Sequence, residues 1–360
     1  MAMLAVLLAF SLTLVLGCDN GGGGGGDDDD DPTGGPTDGG TGSVTWTKVA
    51  SNPFPTNDRI NGVAYGADKF VAVGNASNIA YSTDGVTWTA VTTSPFGTDD
   101  IVGVTYGDSK FVAVGASKAA TSPDGETWTI VSPAPGGNVT GIAFGDGVFM
   151  GVGPNGGMRY SADFSAVWTT VSGLTGTNGI FGNSNSINAV AYGGGKFFAG
   201  GQNGRSALVT YDATTETGTS AVSNIDAAFT STQFKTSQFT VAKTVQSATY
   251  GGGKFVAVGF EGNIAYSTDG VTWTKATPPG TFGTGQQTQN IMAVAYGGGK
   301  FIVGTGYTNG KMATSADGVT WTAVTDSAFG ANGIHGFAYG AKKFVAVGTN
   351  GTIAYSNDQE

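Results

Sequence analysis

A chain of 360 residues can hold two average domains or one large all-β unit, and 39% hydrophobic content excludes a chain that stays unfolded. Sixty-three glycines without a collagen period point to many tight turns. Seven acids (Asp19, Asp27 to Asp31, Asp38) precede residue 43 with no Lys or Arg among them, so the formal charge of −10 leaves −3 on the remainder, which argues against a nucleic-acid or strongly cationic partner.

Cys18 is the only cysteine, which excludes an internal disulfide and thiolate metal sites. His335 is the only histidine, so an ordinary four-ligand zinc site is excluded too, and no cofactor is expected. Residues 4–17, LAVLLAFSLTLVLG, form an apolar run too short to span a bilayer and of the length of a signal-peptide core. The run ends in Val15-Leu16-Gly17-Cys18, which resembles a bacterial lipobox, although Met-Ala-Met carries no positive charge and Leu16 is bulky for its place. The resemblance implies a signal peptide over 1–17, cleavage before Cys18, and a lipid on that cysteine. Residues 18–42, rich in Gly and Asp, then read as a solvated tether that lifts a domain off a membrane surface. Asp19, directly after the cysteine, does not decide which membrane or leaflet is involved.

From residue 60 the chain repeats itself. An aromatic before glycine recurs at Tyr65, Tyr106, Phe144, Tyr192, Tyr250, Tyr296 and Tyr339. A phenylalanine follows each five residues later, from Phe70 to Phe344, and the mean spacing of about 46 residues is that of a four-stranded propeller blade. Within a repeat, strand A is of the INAVAYG type, B reads KFVAVG, C reads IAYS and D reads VTWT. Asp-Gly pairs such as Asp84-Gly85 and Asp269-Gly270 join C to D, because both residues tolerate positive φ. No 3.6-residue apolar period points to helices, so the fold class is all-β, a seven-bladed β-propeller over residues 43–360.

Tryptophans mark strand D in repeats one, two, three, five and six (Trp88, Trp128, Trp168, Trp273, Trp321), and repeat four lacks one. Repeat seven stops at YSNDQE before any strand D, whereas Ser43-Val44-Thr45-Trp46-Thr47-Lys48-Val49 is a strand D with no A, B or C before it. The two fragments complete one blade and cover two otherwise exposed sheet edges. Burying an indole removes about 150–250 Å² from water, roughly 4–6 kcal/mol as an upper estimate, so these tryptophans are expected to be wedges between blades.

The segment YSTDGVTWT, at residues 81–89 and again at 266–274, resembles the Asp-box (BNR) repeat of sialidase-like propellers, one residue shorter between Asp and Gly than S-x-D-x-G-x-T-W. The resemblance covers about 300 residues. It implies a C–D turn on the face away from the ligand site, so Asp84, Asp124, Asp163, Asp269 and Asp317 are expected to form turns rather than to catalyse. Such boxes occur in sialidases, xyloglucan hydrolases, sorting receptors and photosystem assembly factors, so the resemblance leaves function open.

In a propeller the D–A connectors and B–C loops share the opposite, top face, where a rigid scaffold places function. The longest connector runs from Val222 to Lys243. Phe54, Phe96, Phe181, Phe282 and Phe329 recur in these connectors, as buried plugs or as a ring of ligand platforms. Candidate ligand-binding residues on this face are Arg59, Asp99, Asp100, Arg205, Glu261 and His335. A sialidase-like site needs three arginines on a carboxylate; this chain has Arg59, Arg159 and Arg205, with Arg159 expected in a strand C away from the channel. No catalytic residue is assigned. Paired carboxylates of the inverting kind stay open for Asp99, Asp100 and Glu261. The leading expectation is a non-enzymatic, monomeric binding or scaffold module, lipid-anchored at a bacterial cell envelope, holding a protein or a glycan. The alternatives are a glycoside hydrolase and an assembly factor for an envelope complex.

Overall fold

The computed structural model describes residues 44–131, 139–164, 168–175, 180–212, 217–223, 244–282, 290–307 and 309–357. The signal segment 1–17, Cys18, the tether 18–42, and residues 224–243 of the long connector lie outside the described residues. Among the described residues every regular element is a strand or a short 3₁₀ turn, and no helix is long and apolar enough to cross a membrane.

Seven four-stranded antiparallel sheets form a β-propeller. The innermost A strands are Ile60–Gly66, Ile101–Gly107, Gly141–Gly145, Ile187–Gly193, Val245–Gly251, Ile291–Gly297 and Ile334–Gly340, defining blades 1 to 7. Six blades are continuous in sequence; the seventh is completed by Thr45–Lys48, antiparallel to Ile353–Asn357, with Trp46 opposite Ser356. The ring is therefore closed by the orphan strand, as the two incomplete repeats require.

The two aromatic markers of each repeat are partners. Tyr65 lies directly opposite Phe70 across the A–B hairpin, with ring centroids 4.7 Å apart. The glycine after each tyrosine has a separate reason. A Cβ on Gly66 would lie 2.0 Å from Cγ of Tyr106 in blade 2, and one on Gly340 would lie 2.1 Å from Cγ of Tyr65. Each of these aromatic rings, Phe144 in blade 3 included, is thus seated on the bare backbone of the preceding blade, all the way round the ring.

The core lies in the seams between blades. Trp88 packs with blade 1 and with Val345 and Val347 of blade 7, and Trp128 packs with Val71 and Val73 of blade 1. Trp273 stacks on Phe198 of blade 4, centroids 4.7 Å apart. Trp46, Trp88, Trp128, Trp273 and Trp321 are buried, the wedges that their spacing predicts, whereas Trp168 is only half-buried, edge-to-face with Phe164 at 5.0 Å between centroids. Blade 4, which lacks the tryptophan, instead extends its outer hairpin to Ser206–Asp212 and Thr217–Ser223, and places Leu208 and Tyr211 in the core.

The Asp-box turns of blades 1, 2, 5 and 6 are built as expected; in blade 3 the Ser161 hydroxyl donates to Asp163 Oδ1 (3.3 Å), and residues 165–167 lie outside the described residues. In blade 1 the Ser82 hydroxyl donates to Asp84 Oδ1 (2.9 Å), which accepts the amides of Val86 (2.8 Å) and Thr87 (2.7 Å). Trp88 Nε1 then donates to the Gly85 carbonyl at 3.2 Å. The same bonds recur at 122–128, 267–273 and 315–321. All the carboxylate's work is local, which fits a turn-former.

Candidate functional site

The top face is a knit of two loop sets. The first residue of a B–C loop donates its amide to the backbone at the start of its own blade's strand A: Asn75 to Arg59 (3.0 Å), Gln202 to Ser186 (3.0 Å), Gly306 to Asn290 (3.0 Å) and Thr349 to Gly333 (3.0 Å). The recurring phenylalanines anchor the connectors from below: Phe54, Phe96, Phe181, Phe282 and Phe329 are at most 5% exposed. They are plugs and offer no ring face to a ligand.

Beneath this knit, six A strands carry a bulge at their second residue, where the register with strand B slips by one. A bulge re-aims a side chain. Here it presents Asn61, Val102, Asn188, Gln246, Met292 and His335 in blades 1, 2, 4, 5, 6 and 7. Asn61 Nδ2 donates to the Ile101 carbonyl of blade 2 (2.8 Å), and Asn188 Nδ2 to the Val245 carbonyl of blade 5 (3.3 Å). Thr140 of blade 3 does the same with its hydroxyl to Ile187 of blade 4 (3.2 Å). These three side chains clasp blades 1, 3 and 4 to the blade that follows each.

The ring brings three of the six candidate residues into one electrostatic group at the junction of blades 7, 1 and 2. Arg59 Nε donates to Asn61 Oδ1 at 2.6 Å. Burial pulls its pKa below the ordinary value, and the charge of Asp100 and then the Tyr307 hydroxyl oppose that shift. An arginine stays protonated regardless. His335, 5% exposed, is pushed down to about 3, first by burial and then by the charge of Arg59, so it is neutral at physiological pH. Tyr307, in the B–C loop of blade 6, is raised by burial, with Arg59 acting in the opposite sense. Tyr307 belongs to the same group and is not among the residues singled out from sequence; its signal is an aromatic in a B–C loop where most blades have none. Asp100 Oδ1 accepts the amide of Ala76 in blade 1 at 2.9 Å, tying blades 1 and 2.

The other candidates lie apart. Asp99 is paired with Lys118 at 3.0 Å. Arg205, exposed on blade 4, donates through Nη1 to the Ile180 carbonyl. Glu261 sits in a 3₁₀ turn of blade 5 at φ +57°, its amide donating to Asn290 Oδ1 at 3.0 Å. Blade 5 is three blades from the one that carries Asp99 and Asp100. Arg159 is in strand C of blade 3 (Met158–Ser161), so the three arginines are spread over blades 1, 3 and 4 rather than around one carboxylate. Among the described residues no group of three His, Cys, Asp or Glu could hold a metal ion.

No protein-family model and no curated protein matches the sequence. Solved structures do match in fold. YCF48 bound to D1 peptide is similar at TM-score 0.60 and 13% identity, covering 88% of this chain and 96% of that one. YCF48 from Cyanidioschyzon merolae gives TM-score 0.60 at 14% identity, over 86% and 98% of the two chains. A catalytically inactive histidine-to-alanine virginiamycin B lyase from Staphylococcus aureus, with quinupristin, gives TM-score 0.65 at 12% identity, over 88% and 100%. At these identities the likeness is one of fold.

Proposed function

We propose that this chain is a non-enzymatic binding or scaffold propeller that holds a protein or a glycan on its top-face loops. It works as a monomer, tethered at a bacterial cell envelope through a lipid on Cys18. The observation that carries the reading is the pinning of the top-face loops: B–C amides on the strand-A backbone and phenylalanines buried beneath. A surface whose backbone is already ordered loses little entropy on binding, which favours recognition. The charged side chains there are engaged in holding loops, as in the Asp99–Lys118 pair and the bond from Ala76 to Asp100. YCF48 in complex with a D1 peptide is a propeller of this fold in a binding role, which supports a protein ligand without identifying one.

The lyase neighbour is disabled by loss of a histidine. Here the sole histidine is buried, held neutral with a pKa of about 3, and placed at the strand-A bulge of blade 7, a poor position for general acid–base work. The tether and lipid rest on Val15-Leu16-Gly17-Cys18 and the Gly/Asp run that follows.

The test is a combined glycan and peptide array probed with residues 43–360, repeated with Arg59→Ala and Asp100→Ala. Specific retention that weakens in either variant supports the reading. Turnover of any retained glycan overturns its non-enzymatic part and favours the hydrolase. The anchor is tested separately: incorporation of a labelled fatty acid that Cys18→Ala abolishes is expected, and labelling that persists in that variant overturns it.

A further inference from the structure

Blade 1 departs from the B–C turn that four of the other blades share. In blades 3, 4, 5 and 7 this turn carries two left-handed residues of which the second is glycine: Asn155-Gly156, Asn203-Gly204, Glu261-Gly262 and Asn350-Gly351. In blade 1 the pair is Ala76-Ser77, at φ +51° and +59°, closed by the same i to i+3 bond from Asn78 to the Asn75 carbonyl (3.1 Å). Left-handed backbone is strained for both residues, and strain of this kind collects at ligand sites.

The consequence is a space. In blade 7 the incoming connector closes directly over the turn: a Cβ on Gly351 would lie 2.8 Å from the Pro55 carbonyl oxygen and 2.9 Å from that of Phe54. In blade 3 a Cβ on Gly156 would lie 2.7 Å from Phe181 Cβ and 3.2 Å from the Leu174 carbonyl oxygen. Ser77 has the Cβ that those glycines lack, and the connector after blade 1 meets the turn one residue earlier, where the Ala76 amide donates to Asp100 Oδ1 (2.9 Å). A half-open groove of about 400 Å³ lies there, with Ser77, Asn78, Thr92, Thr93 and Ser94 among its walls. That volume is in the range of small-ligand sites.

The lining specifies the chemistry. None of the residues that line the groove is charged. Lys118 nearby is held by Asp99 (3.0 Å) and the Phe96 carbonyl (2.8 Å), and Asp58 accepts from Asn78 Nδ2 (2.9 Å). Asn78 also gives Nδ2 to the Asn75 carbonyl (3.0 Å), which leaves Oδ1 as an acceptor. The hydroxyls of Ser77, Thr92 and Thr93 are each donor and acceptor at once. Phe54, the one aromatic in the lining, is only 5% exposed, so the groove lacks the deep aromatic or arginine anchor of a peptide site. From this lining we infer that the blade 1 groove binds a neutral oligosaccharide, whose hydroxyls are themselves both donors and acceptors. The inference rests on the binding reading above and narrows it to one groove and one ligand class.

The test is calorimetric titration of the full chain with maltotetraose, cellotetraose and chitotetraose, alongside two variants. Thr93→Trp fills the groove from an exposed position that the fold does not depend on. Ser77→Gly gives blade 1 the glycine of its siblings and lets the connector close. Binding of at least one of the three sugars, weakened tenfold or more by both changes with the melting temperature of Thr93→Trp unaltered, is the expected result. Binding that both variants leave intact overturns the groove, and its loss in Arg59→Ala would then move the ligand to the channel mouth, keeping the binding function. No binding of any of the three sugars overturns the ligand class, and the array and anchor experiments decide the broader reading independently.

Discussion

At the scale of single residues, this fold depends on places where a side chain is forbidden and places where one is buried neutral. Gly66 is the first kind. Alanine there puts a methyl 2.0 Å from the Tyr106 ring carbon, and overpacking of a close seam costs about 1–3 kcal/mol. Gly66→Ala is expected to lower the melting temperature, and Tyr106→Ala in the same chain to recover part of the loss; strictly additive effects would show that the two do not touch. His335 is the second kind. Unfolded, it takes up a proton near its ordinary value of 6.5, whereas folded it resists until about pH 3. Between those values the unfolded state binds more protons, so stability falls as pH falls. His335→Met, which copies Met292 at the matching place in blade 6, is expected to flatten that fall. Parallel melting curves for the two proteins between pH 7 and pH 4 would refute the assignment.

At the scale of the element, the Ser-Asp turns add a second, lower pH window. Asp269 is held down to about 2 by the amides of Thr272 and Val271 and the Ser267 hydroxyl. Asp84 reaches about 2 as well, since burial, which pushes it up, is outweighed by the Thr87 and Val86 amides and the Ser82 hydroxyl. The stability these turns contribute is complete above the ordinary carboxyl value of 3.8 and is lost as pH falls towards 2. The carboxylates are exposed, so each contribution is small. Asp84→Asn with Asp269→Asn should lower the melting temperature at pH 6 and narrow the gap to wild type at pH 2.5; a constant gap would mean that the turns do not depend on charge. These turns are legible in the sequence because every partner lies within five residues and the pattern recurs. The bulge in strand A is not legible. Its residues run Asn61, Val102, Asn188, Gln246, Met292 and His335, with no shared letter, because only the backbone slip repeats. Nor does sequence separation reveal that Arg59, Asp100, His335 and Tyr307 share a corner; only ring closure brings blades 6 and 7 beside blades 1 and 2. The groove is hidden for a third reason. It follows from a glycine that is absent at Ser77, which in sequence reads as ordinary loop variation.

At the scale of the whole molecule, a propeller with a single non-covalent joint concentrates its vulnerability there. Thr45–Lys48 is held to Ile353–Asn357 by its ladder, by Val49 donating to the Ile353 carbonyl (2.9 Å), and by Asn52 Nδ2 donating to the Gly351 carbonyl (3.0 Å). Trp46 enters the same core cluster as Phe329, Phe337 and Phe344, so it wedges blades 6 and 7 as its counterparts wedge other seams. It differs from them in one respect. Trp88, Trp128, Trp273 and Trp321 give Nε1 to the glycine of their own Asp-Gly turn, whereas blade 7 has no such turn and Trp46 Nε1, like Trp168 Nε1 in blade 3, has no hydrogen-bond partner among the described residues. The closing strand is thus held by burial and backbone pairing, one hydrogen bond short of the D strands of blades 1, 2, 5 and 6. Removing residues 43–49 exposes the edge of Ile353–Asn357 and the seam of blades 6 and 7 together. Removing 19–42 should touch none of these contacts. The first truncation is therefore expected to lower the melting temperature sharply and the second hardly at all, with Trp46→Ala alone costing about 3–5 kcal/mol. Equal melting temperatures for the two truncations would mean that the ring holds without its joint, and that the blade seams, rather than closure, set the stability of the whole.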